Sequence, residues 1–94
     1  MNETQVSRKV VITNPQGLHA RPADLFSRMA GRYQARIGVI KENHRVDGKS
    51  ILDLLTLAAE EGTELTIEAS GRDADAALEA LTRLVVANFQ EDVT

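Results

Sequence analysis

The chain has no cysteine and no tryptophan, one tyrosine, two phenylalanines and two prolines. Without thiols it has neither disulfide staples nor cysteine-ligated metals. Its two histidines, His19 and His44, are too few for a typical structural zinc site, so neither a metal nor a cofactor is expected. With aromatics at 3 % (Phe26, Tyr33, Phe89), the core must be aliphatic. No apolar run approaches the roughly 18 residues of a membrane span, and the opening MNETQVSRK lacks the apolar stretch of a signal peptide. A cytoplasmic protein with no membrane insertion is the expectation. At 94 residues there is room for one domain, 1–94, able to bury about 60 to 65 % of its unfolded surface.

The net charge of −3 is unevenly spread. Residues 1–50 carry nine Lys/Arg against four Asp/Glu, and residues 51–94 carry two against ten. The asymmetry either separates solvated faces or turns the basic half toward an anion such as a phosphate or an acidic protein surface. Nucleic acid is disfavoured, because the domain is acidic overall and lacks stacking aromatics or a recognition-helix motif.

Periodicity gives the order of elements. Val6 to Thr13 is β-branched and alternating, and Asn14-Pro15-Gln16-Gly17 breaks it. Ala23, Leu25, Phe26, Met29, Ala30 and Tyr33 form one face of a helix with Pro22 in its first turn and Gly31 near its end. Ala35, Ile37 and Val39 begin a hairpin that turns at Glu42-Asn43 and returns through His44 to Asp47, with His44 at the surface. Ser50 opens a second helix, with Asp53 completing a capping box and Gly62 as its end. Leu65, Ile67 and Ala69 alternate with polar residues in a strand, and Asp73 is placed to cap a last helix. Its buried stripe is Ala74, Ala77, Leu78, Leu81, Leu84, Val85 and Phe89. The order β-α-β-β-α-β-α, with one-sided strands and helices, calls for an α+β two-layer open-faced sandwich: a four-stranded antiparallel sheet with three helices on one face.

One short segment has the makings of a reactive site. Gly17-Leu18-His19-Ala20-Arg21-Pro22-Ala23 sets an imidazole at the entry to a helix. Neutral imidazole is nucleophilic, and one ring nitrogen can take a phosphoryl group while the other keeps its proton. Free N–H groups at Ala20 and its neighbours favour the anion so formed, and Arg21 can add a charge-assisted contact. Gly17 permits a sharp turn and Pro22 fixes the first helical turn. Taken alone, a histidine before a helix is more often a polar cap or surface residue than a nucleophile; the seven residues together are far more specific.

GLHARPA resembles the phosphorylation motif of the histidine-containing phosphocarrier protein HPr of the sugar phosphotransferase system and its nitrogen-branch paralogues. The similarity extends through VVITNPQGLHARPA, GKSILDLLTLAAEEGTELTIEASG and the closing helix. The resemblance implies that His19 accepts phosphate on Nδ1 from enzyme I, ultimately from phosphoenolpyruvate, and passes it to an EIIA-type protein, while Arg21 steadies the phosphoryl group. It implies a carrier and not an enzyme. Ser50, in Lys49-Ser50-Ile51, matches the serine that HPr kinase/phosphorylase modifies, which supports a second reading as a regulatory protein that binds enzymes or a transcription factor. Ser50 is also explained as a helix cap alone, and Asp53 within one turn would repel an added phosphate by roughly 0.5 kcal/mol. The ending NFQEDVT has a nitrogen-branch look whereas GKSI leans toward the serine-regulated type.

A docking surface is expected around the two helix starts: Leu18 and Leu52 as an apolar patch, with Leu55 more core than surface, ringed by Arg21, Arg28 and Lys49. Such a basic-rimmed patch suits brief encounters of a monomer with acidic partners.

Overall fold

Strict alternation over Glu64–Ser70 sends Leu65, Ile67 and Ala69 into the core and leaves Thr66 and Glu68 on the other side. The same rule shapes the sheet around it. The structure is a computed structural model that describes residues 4–90; the reading of the ending NFQEDVT rests partly on residues 91–94, outside the described residues, as does the start of the opening segment. The elements are β1 (Gln5–Val11), α1 (Ala20–Gly31), β2 (Arg36–Lys41), β3 (His44–Asp47), α2 (Ile51–Thr56), β4 (Glu64–Ser70) and α3 (Ala74–Val86).

The sheet is antiparallel throughout, in the order β1-β4-β2-β3. Its register sets Val10 opposite Leu65 and Val39 opposite Ile67, so the inward residues of successive strands fall in line. Against that face lie Ala23, Phe26 and Ala30 of α1, Leu54 of α2, and Leu78, Leu81 and Val85 of α3, all in one hydrophobic cluster. This is the two-layer α+β sandwich expected from the sequence. On the open face, Gly38 leaves room for the Arg45 guanidinium, which crosses β2 to pair with Glu68 on β4. A Cβ at Gly38 would stand 2.7 Å from an Arg45 nitrogen.

Several boundaries differ from the sequence expectation. α2 stops at Thr56, not near Gly62, because Ala58 turns left-handed (φ 50°). That turn buries both Leu57 and Ala59 while Ala58 stays exposed. α3 ends at Val86, and two left-handed residues, Asn88 and Phe89, fold Phe89 back into the core with its N–H donating to the Leu84 carbonyl at 2.8 Å. Asp73 does not cap α3 with its side chain. Its carboxylate instead accepts the N–H groups of Gln34 (2.9 Å) and Ala35 (2.8 Å), tying the start of α3 to the approach to β2. Those bonds, that of Gln34 foremost, hold the Asp73 carboxyl below its ordinary value of 3.8 against partial desolvation, with Lys49 adding charge in the same direction.

Candidate functional site

β1 delivers the chain to a loop whose shape is set by contacts far along the sequence. The Ile12 N–H donates to the Thr63 carbonyl (2.9 Å), that of Gly62 to the Ile12 carbonyl (2.7 Å), and that of Leu18 to the Ala59 carbonyl (2.8 Å). Residues 12–18 are thus stapled to the α2–β4 connection. Gly17 takes φ +71°, and a Cβ there would fall 2.4 Å from the Ala59 oxygen, so both conformation and space demand glycine.

His19 follows as the N-cap residue of α1, extended (φ −88°, ψ −165°) and exposed, with no cap bond from its side chain. Its carbonyl accepts the first helical bond, from the Ala23 N–H at 2.9 Å. The N–H groups of Ala20 and Arg21 precede that bond and Pro22 has none, so the first turn offers two donors and the positive end of the helix dipole beside the imidazole. Pro22 is buried and anchors the turn. Arg21 is exposed and makes no ion pair among the described residues. Imidazole, free amides and an uncommitted guanidinium are what holding a phosphoryl group requires.

The expected docking surface is only partly assembled. Leu18 is 5 % exposed and belongs to the core: the bond to Ala59 turns its side chain inward, so it cannot serve as surface. Leu52 is 73 % exposed on α2, and Leu55 packs partly against the core. Arg28 lies in the last turn of α1, paired with Asp24 at 3.1 Å, and with Arg21 and Arg32 it lines a cleft of about 260 Å³ along that helix. Lys49 does not ring His19. Its ammonium donates to the Tyr33 carbonyl at 2.8 Å, beyond the far end of α1, a helix about 18 Å long.

Ser50 caps α2 as expected: its Oγ accepts the Asp53 N–H at 3.2 Å. The box is only half formed. The Asp53 carboxylate takes the Asp47 N–H (3.3 Å), while the Ser50 N–H goes to the Asp47 carbonyl (3.1 Å). Among the described residues no cluster of three His, Asp or Glu could hold a metal, and no helix is long and apolar enough to cross a membrane.

Two features of the site were missed by the sequence reading. The Asn14 amide donates to the Gly17 carbonyl at 2.7 Å, and the Ala59 carbonyl holds Leu18. The Asn-Pro-Gln-Gly turn carries a signal for the first; nothing in periodicity signals the second.

A family model described as the PTS HPr component phosphorylation site matches residues 6–87. The phosphocarrier protein HPr of Neisseria meningitidis serogroup A is 38 % identical over 86 residues, covering 92 % of this chain and 97 % of that protein. The HPr-like protein Crh of Bacillus subtilis is 41 % identical over 88 residues, covering 94 % and 99 %. Among solved structures, HPr from Bacillus anthracis aligns with a TM-score of 0.82 at 41 % identity over 86 % of this chain and 96 % of that one. A structure described as an HPr dimer, from Thermoanaerobacter tengcongensis, aligns at 0.74 with 38 % identity, covering 87 % and 94 %; that relative is at odds with the monomer expected here.

Proposed function

Because the chain belongs to the HPr family, whose named relatives are phosphocarrier proteins and not enzymes, we propose that His19 is the residue that carries the phosphoryl group. In this reading the Nδ1 lone pair attacks phosphorus on the phosphohistidine of enzyme I. The donor's P–N bond breaks with its electron pair returning to the donor ring, and Nε2 of His19 keeps its proton. The reverse geometry then passes the group to a histidine of an EIIA-type protein. The observation that carries the reading is the exposed imidazole at the mouth of α1, beside two open N–H groups and an unpaired Arg21. Ala20, Arg21 and the dipole stabilise the new charge; Gly17 and Pro22 fix the turn. Leu52 supplies apolar docking surface, and Arg21 and Arg28 draw in an acidic partner. The chain acts as a monomer in this reading.

Incubation with enzyme I and labelled phosphoenolpyruvate is the test. Wild type takes up one acid-labile phosphate and His19→Ala takes up none; equal labelling of the two removes the assignment. Sedimentation at working concentration checks the monomer.

A second reading has its own support, the likeness to Crh and the half-buried Ser50 hydroxyl at an N-cap. Here HPr kinase/phosphorylase modifies Ser50 with ATP and the product binds a regulatory partner. The Asp53 carboxylate, one turn away, opposes the added charge. Labelling by ATP that Ser50→Ala abolishes and Asp53→Gly enhances supports it; wild type left unlabelled by a cognate kinase removes it.

A further inference from the structure

The peptide plane between Gly17 and Leu18, one residue before His19, is held from both sides. Its carbonyl accepts the Asn14 side-chain amide at 2.7 Å and its N–H donates to the Ala59 carbonyl at 2.8 Å. The Gly17 N–H returns to the Asn14 carbonyl at 3.0 Å, so Asn14 closes the loop twice, through backbone and side chain. Leu18 adds an apolar anchor by burying its side chain. Rotation of this plane would swing the Cα of His19, and with it the imidazole, relative to the Ala20 and Arg21 amides.

Asn14 holds its position at a cost. Its Oδ1 is buried without a donor among the described residues. Turning the amide over would bring Oδ1 against the Gly17 carbonyl, oxygen to oxygen, so the bond to Gly17 settles which way the amide faces. A buried acceptor left open is uncommon and asks for a reason. The bond that holds the amide in this orientation is the one that fixes the plane ahead of His19.

We propose that Asn14 is a positioning residue for phosphoryl acceptance, acting through the Gly17–Leu18 peptide to hold the His19 imidazole over the first turn of α1. The proposal rests on His19 being the acceptor. Asn14→Asp keeps the size of the side chain and removes the donor; Asn14→Ser is a shorter alternative should the carboxylate prevent folding. Full-length variants are assayed with enzyme I and phosphoenolpyruvate below their melting temperatures, together with His19→Ala.

The expected result for Asn14→Asp is a fall in kcat of about tenfold or more, the range that small misplacement of a reacting group produces. KM for the carrier stays within about twofold, since Asn14 is not on the docking surface, and the Leu18 amide exchanges faster with solvent as its plane loosens. A lowered melting temperature with unchanged kcat and unchanged Leu18 exchange would make Asn14 merely structural and overturn the proposal. So would a variant indistinguishable from wild type. Labelling of His19→Ala overturns the acceptor reading itself, a separate outcome.

Discussion

At Gly17 and Gly38 the same residue type answers two different demands. Gly17 is left-handed and faces backbone atoms of Ala59 and Glu60, which cannot move without unstapling the loop. Gly17→Ala is therefore expected to destabilise by about 2 kcal/mol or more from strain and overpacking together. For a domain of this size that lowers Tm by roughly 8 °C or more. Gly38 faces only the end of a flexible arginine. Gly38→Ala should be nearly neutral in thermal melting, since the Arg45–Glu68 pair it displaces is a partly exposed one worth about 1 kcal/mol or less. Asp73 gives a pH dependence. Its carboxyl lies below the ordinary 3.8 in the fold, so its contribution is complete above that value and is lost as pH falls through the lowered folded value. Asp73→Asn, which presents one acceptor oxygen to two N–H groups, should flatten the acid limb of the stability curve below about pH 4 in circular dichroism titrations. A slope unchanged from wild type would place the acid sensitivity elsewhere.

Among the elements, α2 is the one whose stability hangs most on its cap, since six residues cannot hold a helix alone. Ser50→Ala should cost about 1 kcal/mol and Ser50→Gly only a few tenths, read as denaturant midpoints. Ser50→Ala without loss of stability would remove the capping role. The strands, α1 and α3 were legible because alternation and 3.6-residue periodicity record burial directly, as in Leu65, Ile67 and Ala69. The cap of α2 and the histidine at the mouth of α1 were legible for a similar reason, being local in sequence. The end of α2 was not. Ala58 and Ala59 look helical, and what turns the chain is the bond from Leu18, some forty residues earlier, to the Ala59 carbonyl. Leu18 was misplaced by the same omission, and Asp73 because the amides it serves lie nearly forty residues before it. Local pattern cannot report such partners.

Over the whole molecule, the basic half does not gather into one ring around His19. Arg21, Arg28 and Arg32 are strung along α1, Lys49 is committed to Tyr33, and Arg45 lies on the open face of the sheet. Charge steering by exposed groups of this kind is screened by salt. Phosphorylation by enzyme I at limiting concentration should slow several-fold from low salt to about 0.5 M, and Arg28→Glu should slow it at low salt with little change at high salt. Salt-independent rates in both proteins would take the arginines out of the encounter.

The sheet order also governs when the domain can exist at all. β4 lies between β1 and β2, and among the described residues it is the strand that joins the two halves of the sheet. A chain emerging from the ribosome that ends before Glu64 can make the β2–β3 hairpin and nothing more of the sheet, leaving β1 without a neighbour. The bonds that staple the His19 loop come just before that point, from Ala59, Gly62 and Thr63, but the β1 strand they adjoin is still unpaired. Chain closure over such separations is slow by the standard of helical bundles. On the proposed reading of His19, a fragment that stops short of β4 therefore lacks the paired β1 that delivers the chain to the site.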